Sequence, residues 1–236
     1  MEIGYTQEYA EYEFRLHGEE WILSKLQGKL NTIFDVGSNI GEWSRMARKF
    51  NPDANIHMFE IMPQTYRQML SNLPIDEKMH PNGLGLSNEY GKVLMKYKPE
   101  YPAVSSSLMN LRLDDSYLQY GLAMIGDDYV ESRQIETIDY LKIDVEGAEE
   151  KVLKGFNKTL EGKRIKIIQF EYNVNAILAK WLLIDAFQYL VPLGYRLGRL
   201  TNGQVQFHDY TLLHETFNGP DYIAVHQDSE LIHLLV

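Results

Sequence analysis

Four acidic side chains stand at or just beyond the ends of segments that read as buried strands: Asp35, Glu60, Asp144 and Glu171. A carboxylate in such a place can accept hydrogen bonds from two adjacent hydroxyls, receive an ammonium group, or take the proton of a reacting hydroxyl. Ligands of open parallel sheets lie in the crevice beyond the carboxyl ends of the strands. The four acids therefore mark one candidate crevice. Asp144 is the candidate to remove or relay a proton, with Glu171 beside it. Asp144, Glu146 and Glu171 together form a set of hard oxygen ligands that suits Mg²⁺.

The elements that must carry these residues alternate along the chain. Thr32–Val36, Asn55–Glu60, Met79–Leu86, Ile138–Val145 and Arg164–Tyr172 read as strands, and Tyr195–Leu200, Gln204–Phe207 and Tyr222–His226 as closing strands. Helices are expected over Gly41–Phe50, Pro63–Leu73, Ala148–Leu153 and Ala176–Leu190, the last with Ile177, Trp181 and Ile184 on one side. Lys92–Tyr97 is expected to pair as a hairpin, and 99–133 to be irregular. Near-continuous apolar strands between helices argue for a mostly parallel sheet covered on both faces. Tyr5, Tyr9, Tyr12, Leu16 and Leu23 fall near helical spacing up to Gly28, so 1–30 reads as a helical extension and 31–236 as the main domain.

Asp35-Val36-Gly37-Ser38-Asn39-Ile40-Gly41 reads as a strand end, a tight turn and a helix start. Gly37 and Gly41 let the backbone approach a ligand, and the free amides at the helix start suit a carboxylate. A methionine-derived cofactor carries both a carboxylate and an ammonium, and Asp35 can meet the latter. Gly37 and Gly41 are thus candidate cofactor contacts, with Ser38 in the same turn. Glu60, 25 residues after Asp35, is placed to hold ribose hydroxyls, Ile61 or Met62 to pack on an adenine, and Gly85-Leu86 to border its edge. A dinucleotide fingerprint needs three glycines where this chain has Gly37, Asn39 and Glu42, so a nicotinamide oxidoreductase is the weaker reading.

Tyr140-Leu141-Lys142-Ile143-Asp144-Val145-Glu146-Gly147-Ala148-Glu149 is the most specific string. With Phe34–Gly41, Phe59-Glu60 and Phe170-Glu171, it resembles the FkbM-type methyltransferases, a class I S-adenosylmethionine-dependent group, over about 31–173. The resemblance implies a Rossmann-like α/β fold with a seven-stranded, mostly parallel sheet and an antiparallel last strand. It also implies O-methylation of a sugar, polyketide or other small-molecule hydroxyl, with cofactor contacts at Asp35, Gly37, Asn39, Gly41 and Glu60. One departure stands out: Glu136-Thr137-Ile138-Asp139 runs directly into Tyr140-Leu141-Lys142, a shorter connection than the family usually has. A non-catalytic cofactor-binding or scaffold protein of the same fold is the alternative.

The 236 residues carry a formal net charge of -10, with no cysteine and no basic cluster. Disulfides and thiolate chemistry are excluded, and neither nucleic acid nor an anionic membrane is an expected partner. The absence of a long apolar run or a leader-like start makes a cytoplasmic home the expectation. Ser105–Ser107 are candidates to touch cofactor or acceptor. His208 and His214 are candidate bases by chemistry alone, and surface histidines by base rate. No Gly-x-Ser-x-Gly elbow is present, which disfavours a hydrolase.

Overall fold

The computed structural model describes residues 17–97, 107, 117–219 and 221–235. Eleven strands lie among them: β1 Thr32–Val36, β2 Asn55–Phe59, β3 Met79–Asn82, β4 Gly85–Ser87, β5 Gly91–Tyr97, β6 Tyr117–Ile125, β7 Ile138–Ile143, β8 Ile165–Phe170, β9 Tyr195–Thr201, β10 Gln204–Phe207 and β11 Tyr222–His226. Eight form one sheet in the order β10-β9-β11-β8-β7-β1-β2-β3. The β3-β2-β1-β7-β8 half is parallel, whereas β11 runs antiparallel to both β8 and β9. The sheet has one strand more than the seven that the resemblance implies. Beyond those seven is β10, at the expected Gln204–Phe207, a hairpin partner of β9 at the edge.

Alternation of side chains along each central strand feeds two apolar cores, one per face. Phe34, Val36, Leu141, Ile143, Ile168 and Phe170 enter one core, with Val152, Leu153, Ala186 and Phe187 from helices above them. Ile33, Tyr140, Ile167 and Ile223 enter the other, with Ile22, Leu23, Trp43, Ala47 and Met69. Helices thus cover both faces, and β1 and β7 are buried on both sides. The chain leaves β1 toward β2 and β3 on one side and returns as β7 and β8 on the other. The switch point between β1 and β7 opens a crevice at their carboxyl ends.

Three expectations need correction. Met79–Leu86 is not one strand. β3 pairs with β2 at the sheet edge, where Pro81 costs no ladder bond, while β4 joins a separate sheet, β4-β6-β5. The stretch 99–133 is not wholly irregular either. β6 pairs along the whole of β5, and a helix follows over Gly126–Ser132. Ala176–Leu190 is two helices, Asn175–Ala179 and Leu183–Leu190, broken where Lys180 adopts φ 58°. Ile177 is 54% exposed and Trp181 only 7%, so the two do not share a buried face.

Ile138–Ile143 forms one strand, so the short connection before Tyr140 is simply strand. A helix over Glu19–Lys25 packs Ile22 and Leu23 against the second core, within the expected N-terminal helix. Tyr5, Tyr9, Tyr12 and Leu16 lie outside the described residues. Among those residues no helix is long and apolar enough to cross a membrane.

Candidate active site

The turn after β1 is tied to the end of β2 from several directions. The amides of Gly37 and Ser38 both donate to the carbonyl of Phe59 at 2.9 Å. The Ser38 hydroxyl donates to the carbonyl of Asp35 at 2.6 Å and accepts the Phe59 amide at 2.9 Å. Gly37 has φ 87°, and a Cβ there would lie 1.8 Å from the carbonyl oxygen of Asp144. Only glycine lets the ends of β1 and β7 approach this closely.

Beyond this turn opens a cavity of about 430 Å³, within the range of small-molecule sites. Asp35, Gly37, Ser38, Asn39, Glu60, Ile61, Gly85, Leu86, Asp144, Glu146 and Glu171 all line it. Gly41 does not. It starts the helix Glu42–Phe50 at φ 85° and faces Met69 and Leu73. The small β4-β6-β5 sheet roofs the cavity, and Gly121 of β6 lies against Ile61, where a Cβ would come within 2.3 Å of the Ile61 side chain. Ser107 also reaches the lining, while Ser105 and Ser106 lie outside the described residues. His208 and His214 stand elsewhere, their rings 3.7 Å apart and His208 stacked on Phe187.

Each acid has a distinct setting. Asp35 is fully buried, its Oδ2 accepting the Ser44 hydroxyl at 2.6 Å, and burial raises its pKa. Among the described residues its buried Oδ1 has no hydrogen-bond partner, and neither have Asn39 Oδ1 and Trp43 Nε1, which line the same cavity. Buried polar atoms are rarely left so, and three in one cavity lining point to a polar ligand. Glu60 accepts the amides of Asn39 at 3.0 Å and Met62 at 2.7 Å, yet burial pushes it up to about 7.

Asp144 is 39% exposed on its side chain and pairs with Lys142 at 2.8 Å. Glu146 sits at φ 54°, where its carboxylate accepts the Asn175 amide at 2.6 Å. Burial, then Asp144 and Glu149, push it up to about 8. Burial and the neighbouring acids also raise Glu171 well above the carboxylate range. One oxygen from each of Asp144, Glu146 and Glu171, the three acids whose types suggested Mg²⁺, lies within 4.8 Å of the others. Glu149 accepts the amides of Val145 and Gly147 at 3.2 Å.

Sequence reasoning missed Lys142, Trp43 and Asn175. A charged residue inside the apolar run Tyr140–Ile143 was the available signal for Lys142.

A family model described as the methyltransferase FkbM domain matches residues 35–197. The chain belongs to the FkbM methyltransferase family. This FkbM-family chain is 27% identical over 175 residues to the hexuronic acid methyltransferase AglP of Haloferax volcanii, a match covering 72% of this chain and 70% of that protein. It is 28% identical over 158 residues to methyltransferase sdnD of Sordaria araneosa, covering 53% of this chain and 60% of that one. The crystal structure of methyltransferase FkbM from Methylobacillus flagellatus superposes with a TM-score of 0.51 at 12% identity. That superposition covers 84% of this chain and 43% of the other, and shows the common fold.

Proposed function

We propose that the cavity binds S-adenosylmethionine and that the protein transfers its methyl group to a hydroxyl oxygen of a small molecule. The observation that carries this reading is the buried Asp35 Oδ1 beside the Gly37 turn, one of three atoms of the cavity lining that have no hydrogen-bond partner among the described residues. When bound, the cofactor supplies a methyl group activated on a positively charged sulfur. The protein's own work is then to hold, align and remove a proton.

Asp35 is positioned to meet an ammonium, and the Gly37–Asn39 turn a carboxylate. Glu60 is placed for ribose hydroxyls. Each of its oxygens already accepts one amide and has a second lone pair to offer. Donating hydroxyls there would favour the charged form and bring Glu60 back down from its raised pKa. Ile61 and Leu86 are apolar walls suited to an adenine. Asp144, the exposed acid of the group, takes the acceptor's hydroxyl proton, with Glu171 adjacent. No step is assigned to Mg²⁺, because Asp144 already has the Lys142 ammonium as counter-charge.

A sugar acid is the acceptor class we favour, in line with the name of the AglP relative. The net charge of -10 disfavours a polyanion such as nucleic acid, a repulsion that a singly charged acceptor meets far less. The test combines titration calorimetry with S-adenosylhomocysteine and transfer of labelled methyl from S-adenosylmethionine to glucuronate and galacturonate. Binding lost about tenfold or more in Glu60→Ala would fit a ribose contact. Absence of nucleoside binding by the unaltered protein would sink the reading. Binding with no transfer to any hydroxyl compound would favour a non-catalytic scaffold instead.

A further inference from the structure

Lys142 is a charged residue in the middle of a buried strand, and only 4% of it is exposed. Its backbone cannot drift, since β7 is paired on both sides, with Asp35 opposite it in β1 and Gln169 opposite in β8. Burying an ammonium is unfavourable unless partners compensate. Burial alone would lower its pKa. Asp144, Asp35, Glu19 and Asp221, drawn from four different parts of the fold, outweigh that and hold it protonated well above the usual lysine range. Its Nζ also lies 5.7 Å from the ring centre of Trp43.

Neutral groups hold other nearby acids. The Ser44 hydroxyl holds Asp35, and pairs of backbone amides hold Glu60 and Glu149. Lys142 brings a full charge and directs it at one oxygen of Asp144, Oδ2, at 2.8 Å. A charge-assisted bond of this length fixes the rotation of a short carboxylate side chain that is otherwise open to the cavity.

We propose that Lys142 is a positioning residue: by holding Oδ2 of Asp144 it presents the other carboxylate oxygen to the acceptor hydroxyl. This rests on the methyl-transfer reading above. During transfer the hydroxyl oxygen forms a bond to the methyl carbon as the carbon–sulfur bond breaks. The hydroxyl proton goes to the free oxygen of Asp144, and Lys142 stays protonated throughout.

The test uses crystals of the S-adenosylhomocysteine complex of the unaltered protein, Lys142→Met and Lys142→Arg, with nucleoside affinity measured beside them. The expected result is an Asp144 side chain that leaves its position in Lys142→Met and keeps it in Lys142→Arg, at affinities within about threefold. An unmoved Asp144 in Lys142→Met overturns the proposal. Should Lys142→Met fail to fold, Lys142→Leu, which likewise has no donor, is used, and the same reading of Asp144 applies.

With glucuronate as acceptor, kcat is expected to fall about 30-fold in Lys142→Met with little change in acceptor KM, and to recover to within about fivefold in Lys142→Arg. In an Asp144→Asn background the lysine change should then cost less than about twofold, and a full additional loss there would mean that Lys142 acts otherwise. The crystallographic result decides the matter even if glucuronate is not the acceptor. Loss of nucleoside binding in the unaltered protein would instead count against the methyl-transfer reading.

Discussion

Replacing Gly37 by alanine tests the closeness of β1 and β7 directly. The added Cβ would stand 1.8 Å from the Asp144 carbonyl oxygen, 2.8 Å from its carbonyl carbon and 3.3 Å from Val145 Cγ1. Two of these atoms are backbone directly after β7, in a residue whose amide is bonded to Val36, so no flexible side-chain end can give way. To restore ordinary contact the two segments must part by about 1.6 Å, an overpacking that costs ~1–3 kcal/mol. The positive φ of 87° adds ~1–2 kcal/mol for any residue with a Cβ. Gly28→Ala is the matched control, with φ 67° and nothing within 4 Å of the new methyl. Urea unfolding of both variants should therefore differ by ~1–3 kcal/mol, with Gly37→Ala the less stable. Because the strain falls on Asp144, methyl transfer should drop by about 100-fold as its carboxylate moves by an ångström. Equal stability of the two alanine variants, or full turnover in Gly37→Ala, would refute the reasoning.

The buried Glu19 carboxylate is raised to about 8 by burial and by Asp221, from 4.5. A raised acid favours the folded state below its unfolded pKa, and that advantage is lost as pH climbs through the folded value. The protein should thus weaken between about pH 4.5 and pH 8, by a few kcal/mol at ~1.4 kcal/mol per pKa unit. Glu19→Gln, still able to accept the Gln169 amide, should gain in Tm relative to the unaltered protein at pH 9 and not at pH 5, as calorimetry would report. Chelation by EDTA should leave methyl transfer within about twofold, since Lys142 already supplies Asp144 with a counter-charge. A loss restored by Mg²⁺ would give the three-carboxylate cluster to a metal.

The site was legible in the sequence where its logic is local. Asp35, the Gly37 turn and the helix after it are contiguous, and Glu60 and Asp144 end apolar runs that only central strands explain. The roof was not legible. Leu118, Tyr120 and Leu122 of β6 are each about 60% exposed, so no alternation of buried and polar residues marks the strand. Its pairing with β5 also spans a long connection that periodicity cannot see. The break at Lys180 was hidden for a different reason, because the apolar spacing from Ile177 to Ile184 continues straight through it. Lys142 was missed because a strand read only for its apolar content gives no reason to look for a charge within it.

The Ser38 hydroxyl and the two amides that converge on Phe59 lock the loop after β1 before any ligand arrives. A receptor whose contact atoms are already in place gives up little conformational freedom on association. Nucleoside capture should accordingly be a single fast encounter with no slow rearrangement behind it, and differences in affinity among variants of this loop should show in how long the complex lasts.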